Sequence, residues 1–322
     1  SKLAMPKTVK DYLLMRPRMN VLDVSACCEY DRESALQYAL RRLNREIYDA
    51  LIDPMIRAYV INRADKVSCL EWFSSIGNLG GQQMTSIHGG NERMPLALAR
   101  QLDVRLNAPV KAVRRESRGV EVDYAEDNGV LQMLYADACV IATRIPEAMA
   151  IHPPFRAIAG ELADELTYNR GLTVQLGFRR RPKSKAIGVL IPTVEHNEIG
   201  LVWLEHNKNP DRTPAGHALY SVYFDESACN DWFDRPENEL ADFCCNFLVQ
   251  LFPELRDELD MMHVTRWPMA VPNPATGIYA KVAAMKQRLR RRIEAVLHPL
   301  AAQAPAVVRR VAVLEPIRQH EV

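Results

Sequence analysis

The sequence predicts a two-domain protein of mixed α/β and α+β class. In residues 87–153 a helical segment lies between β segments, and an apolar strand there is followed by a turn of small residues. Residues 160–225 hold several strand-like segments separated by polar turns. Residues 1–75 are mostly helical in pattern, and a chain of 322 residues is long enough for two domains.

The helical character of residues 1–75 rests on spacing and on start and stop signals. Apolar residues recur at helical intervals over about four turns, namely Leu36, Ala39, Leu40, Leu43, Ile47, Ala50 and Leu51. Asp31 and Ser34 mark the start of this helix, and Pro54 is expected to stop or kink it near Asp53. Ser68 is expected to cap a second helix.

The elements of the remaining chain follow from alternation and turn residues. The pattern predicts a loop at 77–90, a helix at 94–102, strands at 104–106, 111–117, 120–124 and 130–135, and a short buried strand of a parallel sheet at 140–142. Asn128-Gly129 is a strong hairpin signal. Further along, strands are predicted at 172–178, 186–191, 199–204, 218–224 and 264–267, and helices at 237–251, from 253, and at 285–297.

Composition excludes several classes of protein. The chain is 48% apolar and 25% charged with a net charge of +1, so no global charge favours nucleic acid. The histidines lack zinc-binding spacing, and no Gly-x-Ser-x-Gly is present. The seven cysteines form no Cys-x-x-Cys, which favours buried reduced thiols over a metal site and predicts a cytoplasmic protein.

Four short stretches carry a family resemblance. They are the Gly89-Gly90 turn, Val110, the run Asp-Ala-Cys-Val-Ile-Ala-Thr-Arg-Ile-Pro at 137–146, and Arg-Trp-Pro at 266–268. Together they resemble the flavin-containing amine oxidase superfamily, and most closely its protoporphyrinogen-oxidase-like FAD-dependent members. The resemblance covers roughly residues 20–285, although no single motif is highly specific.

The resemblance implies FAD as cofactor and a set of residues near it. These are Gly89, Gly90, Val110, Ala142, Thr143 and Trp267. The glycines and the small residues would let the cofactor approach the backbone closely, Val110 would offer its backbone to the adenine, and Trp267 would border the flavin ring. These positions also have interpretations that need no cofactor. The glycines would form an ordinary loop, the small residues a common strand end, and Trp267 part of the core.

The resemblance also implies an activity. Hydride would pass from an apolar or amphipathic small molecule to the flavin, which needs no strong protein acid or base, and we assign no catalytic residue. Amine-oxidising members often carry a lysine in the strand after the small-residue motif, whereas residues 171–178 contain none. A porphyrinogen-type or desaturase-type oxidation is therefore favoured over true amine oxidation.

The sequence departs from the family pattern at two places that would normally bind FAD. The glycine-rich βαβ unit is expected before residue 1, and the family's late Gly-Asp motif is not found after Trp267. We therefore expect a Rossmann-like FAD-binding domain that is incomplete. An alternative is a truncated, non-catalytic relative that binds a ligand or partner without flavin.

The domain prediction assigns residues 1–86 to a helical part of the substrate domain and 87–153 to the FAD-binding segment. Residues 154–264 are assigned to the sheet and helices of the substrate domain, and 265–322 to a segment returning to the FAD domain followed by a basic tail. The tail at 286–292 is interpreted as a solvated helix face, with a contact to anionic lipid or nucleic acid as the alternative. The oligomeric state is left open.

Overall fold

The computed structural model describes residues 5–20, 23–79, 85–301 and 311–314. The chain divides into two compact units, Ser1–Pro95 with Leu166–Ala280, and Leu96–Glu165 with Lys281–Val322. The boundaries between these segments lie after residues 95, 165 and 280. Each lies further along the chain than the corresponding predicted boundary, after residue 86, 153 or 264. The assignment of the first unit to substrate and of the second to FAD stays a prediction.

The helices within the described residues alternate with strands in the second half of the chain. The helices are α1 (Met5–Met15), α2 (Ala35–Arg42), α3 (Arg45–Ile47), α4 (Asp53–Val60), α5 (Leu70–Leu79), α6 (Arg93–Ala99), α7 (Ile145–Ile151), α8 (Arg156–Ala159), α9 (Leu162–Glu165), α10 (Glu205–Lys208), α11 (Glu226–Trp232), α12 (Glu237–Leu251) and α13 (Ile278–Ala301). The strands are β1 (Val110–Glu116), β2 (Gly119–Ala125), β3 (Leu131–Ala136), β4 (Ala138–Ile141), β5 (Tyr168–Phe178), β6 (Gly188–Leu190), β7 (Ile199–Leu204), β8 (Ala218–Phe224), β9 (Leu259–Pro272) and β10 (Val311–Leu314).

The long helix predicted from Ser34 to about Asp53 begins where predicted, but it is broken into shorter helices. Ser34 caps α2 in a capping box with Gln37, and the helix ends before Asn44, whose side chain caps the next turn. A π-helical turn at Tyr48–Ile52 then leads directly into α4. The expectation that Pro54 stops the helix is wrong, because Pro54 lies in the first turn of α4, where a backbone N–H is not needed.

The first unit is built on an antiparallel five-stranded sheet in the order β6-β7-β8-β5-β9. One face of this sheet packs against α11 and α12 through side chains that alternate along each strand. The largest fully buried members of this face are Leu172, Leu176, Phe178, Ile199, Leu204, Tyr220 and Phe224. The helix predicted at 237–251 matches α12, although Leu251, expected to point inward, is 40% exposed.

The helices α2 to α5 form a second core within the same unit, with Ile52, Ile56, Leu70 and Phe73 fully buried. Arg57 of α4 joins this helical core to the sheet. Its Nε lies 2.7 Å from Asp225 Oδ2, and both side chains are fully buried. Its Nη1 donates to Ile191 O at 2.7 Å, and its Nη2 donates to Asn197 O at 3.1 Å.

The second unit contains the antiparallel sheet β1-β2-β3 and the parallel pair β4 and β10. The predicted hairpin turn is present, since Gly129 adopts a φ of 78° and its N–H donates to Glu126 O. His152, just after α7, contacts Val113 O of β1 at 2.8 Å. Arg288 of α13 donates to Ile158 O at 2.8 Å. These contacts attach the helices of the unit to each other and to the sheet.

Four further strand and helix predictions need correction. Residues 104–106 form no strand; Leu106 is 80% exposed and Asn107 adopts a positive φ, so no neighbouring strand covers this stretch. The strand near residue 140 is parallel as predicted, but Val140 is 50% exposed. The helix expected from residue 253 is a single 3-10 turn, whereas α13 begins at Ile278, earlier than predicted.

The mixed α/β and α+β class is confirmed. Of the Rossmann-like layout, the described residues contain the parallel pair β4 and β10 only. All seven cysteines are free thiols. Among the helices described, none combines the length and the apolar character needed to cross a membrane.

Replacing Arg57 with methionine should lower the free energy of unfolding by about 3–5 kcal/mol, because Asp225 would keep a buried charge without its partner. Denaturant unfolding followed by circular dichroism measures this. Arg45→Met is the matched control, since Arg45 pairs with Asp49 while 61% exposed, and its loss should cost less than about 1 kcal/mol. Equal losses in the two variants would contradict a special role for the buried pair.

Candidate functional site

The sheet of the first unit has a second face that differs chemically from its core face. Strand register places Thr173 of β5 opposite Tyr223 of β8 and Thr265 of β9. Gln175 lies opposite Ser221 and His263, and Ser221 lies opposite Trp203 of β7. Directly opposed residues share one side of a sheet. We call the set Thr173, Gln175, Trp203, Ser221, Tyr223, His263, Thr265 and Trp267 the polar-aromatic face.

Two tryptophans on the polar-aromatic face lie over glycines of the neighbouring strand. A Cβ added to Gly188 of β6 would come within 2.7 Å of the Trp203 ring. A Cβ added to Gly171 of β5 would lie 2.8 Å from the Cβ of Ala270 and 3.4 Å from the Cβ of Trp267. The missing side chains therefore make room for both aromatic rings to lie against the sheet.

A buried carboxylate lies at the end of β7. Glu205 accepts a hydrogen bond from Ser221 Oγ at 3.1 Å and pairs with Arg212. Lys208 Nζ lies 3.8 Å from Glu205 and 4.7 Å from the centroid of the Trp203 ring. The carboxylate therefore has two cations beside it, so it is not a free negative charge at this corner of the polar-aromatic face.

Tyr223 is the titratable group at the centre of the polar-aromatic face. Burial raises its pKa above the ordinary tyrosine value, and the nearby Glu205 carboxylate raises it further. The phenol therefore stays protonated at neutral pH and offers a hydrogen-bond donor. The neighbouring polar side chains on this face, Gln175 and Thr265, are half-buried rather than enclosed.

The Gly89-Gly90 turn belongs to the first unit and lies beside the segment that follows β7. Ser86 Oγ donates to Lys208 O at 3.4 Å, and the exposed His88 pairs with Asp211. Both glycines adopt positive φ values, 79° and 98°. A Cβ on Gly90 would meet no atom within 4 Å, so the backbone is open to approach by a ligand there. A Cβ on Gly89 would lie 2.9 Å from Cδ of Arg93, whose side chain covers that residue.

The other predicted cofactor neighbours are divided between the units. Trp267 lies on β9, an edge strand of the first unit, whereas Val110, Ala142 and Thr143 lie in the second unit. Val110 opens β1 opposite Tyr124 at a register shift. Ala142 is exposed and Thr143 half-buried just after β4. The structure thus places each of these residues within its own unit, and their common role stays a prediction.

Sequence reasoning missed most of the polar-aromatic face. Thr173, Gln175, Ser221 and Tyr223 were predicted to lie in strands but were not singled out as site residues. The available signal was polar residues at every second position of otherwise apolar strands, as in Leu-Thr-Val-Gln-Leu at 172–176. Glu205 gave no such signal, because its role depends on Arg212 and Ser221, which only folding brings close.

The chain belongs to the family of flavin containing amine oxidoreductases, whose sequence profile matches residues 20–305. This confirms the resemblance inferred from the motifs, and it confirms a flavin, FAD, as the cofactor that the sequence predicts. A related sequence is the coproporphyrinogen III oxidase of Bacillus subtilis, 21% identical over 287 residues, which represent 80% of this chain and 60% of the relative.

Solved structures with similar folds come from several branches. A protein from Exiguobacterium sp. 255-15, assigned as a protoporphyrinogen oxidase, superposes with a TM-score of 0.61 at 16% identity, over 88% of this chain and 62% of its own length. The cyclohexylamine oxidase of Brevibacterium oxydans gives a TM-score of 0.60 at 16% identity, over 89% and 62% of the two chains. The chain thus spans about three fifths of the length of these relatives.

The residues of the first unit fit a flavin in two respects. The open backbone at Gly90 provides the close approach that a cofactor needs, and the polar-aromatic face provides a partly exposed aromatic surface. Gly90 and Trp267 are the residues of this unit that we would place against FAD. In the second unit, the exposed Ala142 leaves the end of β4 equally unobstructed.

Replacing Gly171 with alanine should destabilise the sheet by about 1–3 kcal/mol, because the new Cβ overlaps that of Ala270 and displaces β9 with Trp267. Removing the Ala270 methyl should relieve the overlap. We therefore expect Gly171→Ala with Ala270→Gly to be more stable than the sum of the single changes predicts, measured as a double-mutant cycle by urea unfolding. Strict additivity of the two changes would contradict this explanation of how Trp267 packs against Gly171.

Proposed function

We propose that the chain is the substrate-binding part, with a portion of the cofactor-binding part, of an FAD-dependent oxidoreductase. Its substrate would be an apolar or amphipathic small molecule, oxidised in a porphyrinogen-type or desaturase-type reaction rather than by amine oxidation. Family membership supports the flavin chemistry. The polar-aromatic face supports the substrate class, because it offers aromatic surface and neutral hydrogen-bonding groups.

The observation that carries the substrate class is the chemistry of the polar-aromatic face. None of its members is a lysine, an aspartate or a glutamate, and the adjoining Glu205 is already paired with Arg212 and Lys208. An ammonium substrate would find no free carboxylate on this face. A largely apolar molecule could instead lie against Trp203 and Trp267 while hydrogen-bonding to Gln175.

The proposed roles of the protein residues are binding, orientation and exclusion of water. Bound FAD accepts the hydride, so the protein need not supply a strong base. Tyr223, held protonated by burial, would orient a polar group of the substrate by donating a hydrogen bond. The tryptophans would cover the apolar part of the substrate. No residue is assigned as a catalytic acid or base.

Three further properties belong to the same proposal. The protein would act in the cytoplasm on a small molecule and would need no nucleic acid. Its basic tail presents the exposed residues Arg290, Arg291 and Arg292 on α13. These arginines support a solvated face with weak attraction to anionic lipid headgroups as a secondary contact.

Purified chain incubated with excess FAD and then passed through gel filtration should retain part of the flavin, measured by visible absorption, because only a portion of the cofactor-binding part is proposed to be present. Gly90→Val should weaken FAD binding by about tenfold or more, because the side chain fills the open approach to the turn. Gly216→Val is the matched control, since Gly216 also has a positive φ, 79° against 98° at Gly90, and equally open surroundings. It carries comparable backbone strain and is not one of the residues that we place against FAD.

The results separate the proposal from its alternative. Flavin retention that falls in the Gly90 variant and not in the Gly216 variant supports the enzyme. Apolar donors should then bleach the flavin absorption of the loaded protein anaerobically, whereas simple alkylamines should not. Failure of the wild-type chain to retain any flavin would overturn the proposal in favour of a non-catalytic relative that binds its ligand without FAD.

A further inference from the structure

A cavity of about 330 Å³ opens beside β6, an edge strand of the five-stranded sheet. Its apolar lining comes from residues 189–192 and from two residues of α12, Phe247 and Leu251. Its polar lining consists of Glu195, His196 and Gln250. The volume lies at the lower end of the range of small-molecule sites, which begins at about 300 Å³.

The cavity lies on the opposite side of the sheet from the polar-aromatic face. Gly188 of β6 pairs with Trp203, whose ring covers it on that face. The next residue, Val189, pairs with Val202, which is fully buried in the core. Because successive side chains of a strand point to opposite sides, Val189 lies on the core side, where Phe247 also packs. A ligand in the cavity would therefore not compete with a molecule bound against Trp203.

The turn that forms one wall of the cavity is held in place by two buried charged side chains. Arg57 Nη1 donates to Ile191 O at 2.7 Å and to His196 O at 3.1 Å. Asp53 Oδ2 accepts a hydrogen bond from the N–H of Thr193 at 2.9 Å. Because these backbone groups are already paired within the protein, the wall is preformed and a ligand would bind with little reordering of the chain. A ligand would also have to find its polar partners among side chains.

His196 supplies the cavity with a hydrogen-bond donor of fixed position. Its Nδ1 accepts hydrogen bonds from the N–H groups of Glu198 at 3.2 Å and Ile199 at 3.0 Å, so this nitrogen carries no proton. Burial lowers the pKa of the imidazole by more than the nearby Glu198 carboxylate raises it, which keeps the ring neutral at pH 7. The proton of the neutral ring is therefore on Nε2. The ring packs edge-on against Phe247, with 4.6 Å between the centroids.

The side chains at the mouth of the cavity limit the charge of the ligand. Glu195 and Gln250 are exposed, and Leu251 is 40% exposed. The Glu195 carboxylate repels anions, whereas a cationic group would have to leave water for a mainly aliphatic lining. Leu251 ends α12 at the edge of the cavity instead of in the core, which accounts for its exposure. A neutral ligand is therefore favoured.

We propose that this cavity is a second binding site, for a neutral and mainly apolar small molecule that carries a hydrogen-bond acceptor such as a ketone or ester carbonyl. The acceptor would bind the Nε2–H of His196, and the apolar part would contact Phe247 and residues 189–192. The site needs neither flavin nor the polar-aromatic face, so it is independent of the proposed function. A bound ligand would stabilise the first unit, because it contacts both β6 and α12.

Titration of the full chain with acetophenone, a neutral aryl ketone, tests the site. Magnetic resonance of protein with ¹⁵N-labelled histidines follows the Nε2 signal of His196, which is assigned by its loss in His196→Asn. The signal should shift saturably, with a dissociation constant on the order of 1 mM or below. Ethylbenzene has nearly the same shape without the carbonyl, and it should bind about threefold to tenfold more weakly because the hydrogen bond is not made.

Three variants locate the bound molecule. Leu251→Trp should weaken acetophenone binding by about tenfold or more, because the larger side chain fills the cavity. Leu40→Trp is the matched control, since Leu40 is also an exposed helical leucine of the first unit but does not line the cavity. His196→Asn keeps an acceptor for the N–H groups of residues 198 and 199 but lacks the Nε2–H. In ligand-detected magnetic resonance, it should bind acetophenone and ethylbenzene equally.

The wild-type comparison of the two ligands depends on no variant, and circular dichroism reports whether each variant is folded. Binding of acetophenone elsewhere, for example on the polar-aromatic face, would leave the His196 signal unshifted. An unshifted signal would overturn the inference, as would equal affinities of the wild type for acetophenone and ethylbenzene. Equal effects of Leu251→Trp and Leu40→Trp would overturn it as well.

Discussion

The guanidinium of Arg57 is the constraint on which the architecture of the first unit depends. It is a charge buried between a helical core and a sheet, and such a charge is tolerated only when each of its donors is satisfied. Asp225 supplies the counter-charge, and the backbone carbonyls of Ile191, His196 and Asn197 accept hydrogen bonds from the two terminal nitrogens. Because these partners come from segments far apart in sequence, the pair fixes α4, the turn after β6 and the start of α11 together.

This fixed arrangement has consequences for the sheet. Gly200 of β7 lies beside Arg57, and a Cβ there would touch the arginine side chain at 3.4 Å. Asp225 in turn caps α11 through the N–H of Ser227. The core face of the sheet is therefore anchored at its ends by polar interactions and filled by apolar side chains. That arrangement leaves the opposite face free to carry polar and aromatic groups without loss of the core.

Sequence reasoning was most successful where local chemistry decides the structure. The bounds of β7, β8 and α12 could be predicted closely, because alternation or helical spacing is strong there and the flanking residues are turn formers. It failed where tertiary contacts override local signals. Residues 104–106 alternate well but have no strand to pair with, and Pro54 resembles a helix terminator until the π-helical turn before it is known.

The candidate site shows the same division between local and long-range information. Gly89 and Gly90 are recognisable from sequence because only glycine readily adopts their positive φ values. The polar-aromatic face is assembled from four strands whose order, β7-β8-β5-β9, is not the order of the chain, so no linear pattern contains it. Its aromatic rings also depend on Gly171 and Gly188, whose importance appears only when the facing strand is in register.

The family profile indicates the flavin cofactor, whereas the residues proposed to determine substrate specificity are brought together by the register of the sheet. Proteins of one flavin-dependent family can therefore differ in substrate through residues that lie outside the motifs by which the family is recognised.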